Sequence, residues 1–251
     1  MGSKRFRNKL CAYCGVEPST TGDHVVARAF FLEIRRGNLP QVPACAKCNS
    51  TKSSLEHYLA TVLPFGGRNP DAIQVLNTSV EGRLKSNQAL SREISATLKP
   101  TWQFVDERTL EQSGGSMEIR LDKFRALCTY IAKGLTYYHW KQILPDKTTI
   151  ACASFLTGPG VAMLDQFFLA GRVGGKADGN LGEHTCVYEG VQGIEDPQFT
   201  VWKMRLLDVR LSGDPRLPNE VVDSMYVITA SINNQTARQF IETIQSRRDP
   251  G

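Results

Sequence analysis

Long apolar runs are missing from this chain. The longest candidates, around Ile150–Leu156 and Phe167–Ala170, fall far short of the ~20 residues a membrane-spanning helix needs. They fit a buried strand and a buried helix instead, so no membrane partner is expected. The basic start Met1-Gly2-Ser3-Lys4-Arg5 leads into no apolar stretch, so no secretory signal is expected and a cytoplasmic protein is the default. Internal repeats and low-complexity tracts are absent too. The composition, 41% hydrophobic and 22% charged, is that of an ordinary globular protein, which excludes disordered, collagen-like and coiled-coil chains. A length of 251 residues accommodates one large domain or two small ones.

Cysteine is present but unevenly placed. Of seven cysteines, Cys128, Cys152 and Cys186 are scattered, while four lie within residues 11–48 as Cys11-x2-Cys14 and Cys45-x2-Cys48. A reducing compartment disfavours disulfides, so such pairs read as metal ligands. Four thiolates suit Zn²⁺, which takes soft tetrahedral ligands and makes no redox demand. A redox dithiol is the poorer reading, because neither pair lies in a βαβ pattern. Cys48 leads into a helix, where the positive end of the dipole favours thiolate. Charge is uneven as well. Residues 1–52 carry nine Lys/Arg against three Asp/Glu, a net +6, so the rest of the chain sums to −1 within a total of +5. A basic patch beside a metal site suggests a polyanionic ligand such as nucleic acid. A solubilising surface is the other reading of the same charge.

Along the chain, Lys52–Leu63 has helical spacing, and Ser53-x-x-Glu56 matches a capping box. Pro64 and the run from Phe65 to Pro70 mark a boundary, giving an N-terminal unit of residues 1–64 and a second of residues 71–251. Helical character is expected over Asp71–Leu98, Leu121–Leu144, Ala162–Ala170 and Thr236–Arg247. Strands are expected over Thr148–Leu156, Thr185–Val191, Phe199–Leu207 and Val221–Thr229, and a glycine-rich loop over Gly171–Gly182. The class is α+β, and the second unit carries no catalytic motif.

Thirty residues separate the cysteine pairs, more than the ~15–20 of plain zinc ribbons. That insert begins Gly22-Asp23-His24-Val25-Val26, which puts acid and imidazole at the start of a strand. It continues through Gly37-Asn38-Leu39 to Val42-Pro43-Ala44-Cys45-Ala46-Lys47-Cys48-Asn49-x-x-Lys52. Over residues 8–63 this stretch resembles the HNH endonuclease family: Cys-x-x-Cys, then Asp-His-Val/Ile, an Asn, and Cys-x-x-Cys-Asn/His-x-x-Lys. The resemblance implies a treble-clef-like β-hairpin and helix around a catalytic metal, with the cysteines on a separate structural zinc.

On this resemblance, Asp23 and Asn49 would hold a hard divalent ion, Mg²⁺ or Mn²⁺, through oxygen. His24 would take the proton from water, its free pKa of ~6.5 lying near working pH. Two departures stand out. The family's middle Asn lies about five residues before the third cysteine, whereas Asn38 lies seven before Cys45 and Pro40 takes the expected place. Asn38 reads either as that catalytic residue or as a turn residue. The family's final His is Asn49 here, so either Glu56 or His57 would complete the metal shell, with His57 favoured as an i+8 position. Lys4, Arg5, Arg7, Lys9, Arg28, Lys47 and Lys52 would grip phosphates, and Arg35-Arg36 could do the same.

The resemblance thus implies a metal-dependent nuclease cutting DNA, of the kind found among restriction and anti-phage defence effectors. Two readings stand beside it: a zinc module that binds nucleic acid without cutting, and a nuclease subunit of a larger defence complex. The second unit would supply specificity, a protein-partner surface or a homodimer contact. The residues do not distinguish DNA from RNA.

Overall fold

The computed structural model describes residues 4–104, 110–155, 158–171, 173–209, 211–212, 221–222 and 224–246. The protein is a mixed α/β chain with antiparallel sheets and a four-cysteine cluster. Strands β1 (Thr21–His24) and β2 (Gln41–Ala44) pair antiparallel, with Thr21 opposite Ala44 and His24 opposite Gln41. Helix α1 (Ala46–Val62) follows at once. It starts six residues earlier than the apolar spacing suggests, because Cys45 occupies the N-cap and its Sγ accepts the Cys48 N–H at 3.4 Å. Ser53 therefore lies two turns inside the helix, and the capping box expected with Glu56 does not form.

The stretch expected as one helix over Asp71–Leu98 is broken into α2 (Pro70–Val75), a π-turn (Leu76–Val80), α3 (Glu81–Ser86) and α4 (Gln88–Thr97). The last break falls at Asn87, whose side chain accepts the Leu90 N–H at 3.0 Å and caps α4. An unexpected hairpin, β3 (Lys99–Phe104) and β4 (Leu110–Ser116), precedes α5 (Leu121–Trp140). Lys141, left-handed at φ 58°, stops α5 four residues before Leu144.

The rest builds one sheet. Its strands are β5 (Thr149–Phe155), then, after α6 (Gly158–Leu169), β6 (Gly175–Leu181), β7 (Cys186–Gln192) and β8 (Thr200–Leu206). A short ladder of β9 (Leu211–Ser212) and β10 (Val221–Val222) leads to β11 (Met225–Ser231) and the final helix α7 (Gln235–Ser246). The order is β5-β11-β8-β7-β6, with every neighbour antiparallel. The single strand expected over Val221–Thr229 is thus split between two sheets. Residues 156 and 247, at the edges of two expected elements, lie outside the described residues.

The glycine-rich run expected as a loop instead supplies β6. Its glycines make room: a Cβ at Gly179 would lie 2.4 Å from the Tyr188 ring carbon Cζ on the neighbouring strand. Period-2 alternation then sorts the sheet into two faces. Trp202, Met204 and Val227 face α5 in one core, while Val201, Tyr226 and Ile228 face α6 and α7 in another.

The first of these cores does not stop at the boundary read at residues 64–70. It runs from Cys11, Tyr13, Val25 and Leu59 through Leu127 and Ile131 of α5 to Trp202. A Cβ on Gly134 of α5 would lie 2.9 Å from a Val25 methyl, so the hairpin and α5 approach as closely as a glycine allows. The buried Lys133 ammonium donates to the Tyr13 carbonyl at 3.3 Å. No helix among the described residues is long and apolar enough to cross a membrane.

Candidate functional site

The four thiols come from two local devices. The first is a tight turn, in which Gly15 N–H donates to the Cys11 carbonyl at 2.9 Å and Cys11 N–H to the Glu17 carbonyl at 3.0 Å. The second is the N-terminus of α1. Ala12 N–H reaches the Pro43 carbonyl at 2.9 Å and joins the turn to β2. All four Sγ atoms then lie within 4.8 Å of one another, and Cys14 and Cys45 are 4.0 Å apart. A tetrahedron with Zn–S bonds of ~2.3 Å has edges of ~3.8 Å, so the cluster can hold one ion such as zinc with little adjustment.

The electrostatics agree. Burial pushes the Cys11 thiol up, and burial together with the neighbouring Cys11 pushes Cys48 up further. At Cys14, burial is outweighed by backbone hydrogen bonds at Glu17 and Val16, which bring the thiol down. Thiols packed this closely resist ionising alone, and a bound dication reverses that.

The hairpin presents the second set of groups. Asp23 and His24 close β1 rather than open it, because the strand begins at Thr21. Asp23 Oδ2 accepts the Tyr13 hydroxyl at 2.5 Å and lies 2.9 Å from the Lys52 ammonium. Lys52 also donates to the His24 carbonyl at 2.7 Å and pairs with Glu56 one turn along α1. This corrects the expectation that Lys52 grips phosphate: its side chain is 0% exposed and its donors are spent inside the protein. Removing one partner from such a buried set typically costs about 3–5 kcal/mol, since it strands an uncompensated charge.

Two carboxylates share that one ammonium. Burial, opposed by Lys52 and aided by the Asp23 charge, raises Glu56 to about 7. Asp23 Oδ1 makes no hydrogen bond among the described residues and is not sealed from solvent. The open Asp23 oxygen is a hard donor of the kind that fits a cation such as Mg²⁺.

His24 is half-buried, and burial lowers its pKa, with the Asp23 charge opposing and the Arg28 and Lys52 charges assisting. Its Nε2 lies 2.8 Å from the side-chain amide of Gln41, its partner across the hairpin. Nothing in the chain order singles out Gln41; only the strand register brings it to His24.

Asn38 stands elsewhere. It is exposed in a turn with φ 57°, a geometry that the turn reading accounts for by itself. Asn49 lies in the first turn of α1, partly buried, three residues before Lys52 and so on the face turned toward β1. His57 is exposed on α1, whereas Glu56 belongs to the Asp23–Lys52 set, so the preference between these two reverses. Among the described residues, only the four cysteines gather three or more Cys, His, Asp or Glu ligand atoms. A cation beside Asp23 would keep several waters, as Mg²⁺ commonly does.

Lys4, Arg5, Arg7, Lys9, Arg28 and Lys47 are exposed. The first four flank Phe6, which is buried on Gly22 beside Asp23, and Ser19 N–H holds the Lys9 carbonyl at 2.7 Å. Arg36 instead caps the Arg28 and Phe31 carbonyls, and Arg35 pairs with Asp71 and Glu183. Both are fastenings of the β1–β2 connection. If the arm binds nucleic acid, replacing Lys4, Arg5, Arg7 and Lys9 by alanine should flatten the salt dependence of duplex binding by about 0.9 per lost phosphate contact. A salt titration showing an unchanged slope would remove the arm from the interface.

Comparison of the chain with family models, with curated proteins and with solved structures finds no match.

Proposed function

We propose that this protein is a metal-dependent HNH endonuclease that hydrolyses phosphodiester bonds in DNA. The observation that carries the reading is the packing of the Asp23-His24 end of the hairpin, through Lys52, against the helix that opens at the four-thiol cluster. Zn²⁺ held by Cys11, Cys14, Cys45 and Cys48 would be structural, fixing the first turn, β2 and the start of α1 relative to one another. Mg²⁺ or Mn²⁺ at Asp23 Oδ1 and the Asn49 amide oxygen would polarise the scissile phosphate and neutralise the leaving oxygen.

The protein's own residues do the rest. The Gln41 side-chain N–H donates to His24 Nε2, which leaves the ring proton on Nδ1 and makes Nε2 the basic nitrogen. The attacking water would take the place of that amide and give its proton to Nε2. The exposed arm, Arg28 and Lys47 neutralise and position flanking phosphates. His24 works as a base only when neutral, so the rate should rise with pH through its pKa. Because burial lowers that pKa, the acid limb of the rate profile should have its midpoint below ~6.5. A midpoint well above that value would contradict the assignment.

One observation favours a zinc module that binds without cutting: Lys52 already pairs with both Asp23 and Glu56 inside the protein. Incubating pure protein with plasmid, linear duplex and RNA in Mg²⁺ separates the two readings. Cleavage of plasmid DNA supports the nuclease; retention of all three substrates uncut, with tight binding, supports the module.

A further inference from the structure

The buried polar groups behind the hairpin take no chemical step in the hydrolytic scheme, yet they contact its proposed metal ligand directly. Tyr13 is 1% exposed and sits between Cys11 and Cys14. Its hydroxyl nevertheless reaches across to Asp23 Oδ2 at 2.5 Å. Its ring packs edge-on against Tyr130 of α5 at 5.2 Å between centroids, and the Lys52 ammonium lies 5.8 Å from the ring centroid. Lys52 forms an ion pair with the same Oδ2 from α1 and donates to the His24 carbonyl. One hydrogen bond and one ion pair, from two different parts of the chain, therefore converge on one carboxylate oxygen and leave the other open.

We propose that Tyr13 and Lys52 are positioning residues. They hold Asp23 by Oδ2 so that Oδ1 is presented to a divalent cation, and through Tyr13 they tie that carboxylate to the thiol-bearing turn. The proposal rests on the hydrolytic reading above. Three features argue for positioning rather than packing alone. A tyrosine buried only for packing has no need of a hydroxyl aimed at an acid. A lysine placed only for charge balance would not bridge the Asp23 side chain and the next residue's carbonyl. And a carboxylate fixed at one oxygen has lost the rotation that would otherwise be frozen on binding a ligand.

The test uses the full, zinc-loaded chain and Mn²⁺ as the probe, with affinity measured by calorimetry without nucleic acid. Tyr13→Phe keeps the ring, its Tyr130 contact and the thiol cluster, and removes only the hydroxyl. It should weaken Mn²⁺ binding about 10–100-fold, raise the metal concentration needed for half-maximal cleavage by a similar factor, and leave zinc content and metal-free DNA affinity unchanged. Lys52→Met strands two acids and can fail to fold, so Lys52→Met with Glu56→Gln is the second variant; it should show the same loss of Mn²⁺ affinity. A Tyr13→Phe protein that only melts earlier, with parental Mn²⁺ affinity, would overturn the positioning role and leave the nuclease reading standing. A parent chain that binds no Mn²⁺ and cuts no nucleic acid would overturn both.

Discussion

His24→Ala should slow cleavage about 10²–10⁴-fold while leaving DNA binding and zinc content at parental levels. The substitution removes a half-buried imidazole and its contact with Gln41, but it touches neither the thiols nor any exposed cation. The Lys52 bond to residue 24 runs to the backbone carbonyl, so it survives the change. Asp23 keeps both Tyr13 and Lys52. What disappears is the proton acceptor alone, and a small exogenous base such as imidazole should restore part of the rate. Single-turnover cleavage with matched binding isotherms checks this. Full activity in the variant, in protein free of contaminating nuclease, would remove His24 from the mechanism and promote the binding-module reading.

If the four thiols hold zinc, as proposed, losing that ion should have the largest effect on stability. Zinc contributes about 10–16 kcal/mol to the folding of small metal domains. Net stabilities run at about 5–15 kcal/mol, so that loss is not survivable locally. Nor is it confined to the first 64 residues. Tyr13 packs on Tyr130, Val25 on Gly134, and Lys133 on the Tyr13 carbonyl, all across to α5. Stripping the metal, or replacing Cys45 by serine, should abolish the cooperative melting transition seen by circular dichroism for both the hairpin unit and α5. Metal-free, thiol-reduced protein with a parental melting curve would show that the cluster is not structural.

The thiol cluster was legible because its ligands are fixed by local spacing. Two residues between paired cysteines suit a tight turn, and Cys48 announces a helix start. The pattern of β7, β8 and β11 was legible for a similar reason, since alternation records which face each side chain takes. What escaped were relations that only tertiary pairing creates. Gln41 meets His24 through strand register, seventeen residues away, and no local signal marks it. Lys52 looks like any basic residue on a helix until α1 lies against β1 and buries it. Asn38 was ambiguous because turn residues and catalytic amides share chemistry, and its left-handed backbone shows the turn. The β6 glycines signal a loop by composition, yet they serve a strand whose neighbour carries a tyrosine ring. The 71–98 helix failed at Asn87, where a cap that restarts a helix reads in sequence like a tolerated interior residue.

Cleavage of supercoiled plasmid by zinc-loaded protein should follow Mg²⁺ as it is titrated into buffer free of other divalent ions. No nicking is expected without Mg²⁺, with saturable nicking as it is added and unchanged zinc content throughout. Plasmid that stays intact at every Mg²⁺ and Mn²⁺ concentration while the protein binds it, or nicking that proceeds at the same rate without either ion, would contradict the nuclease reading.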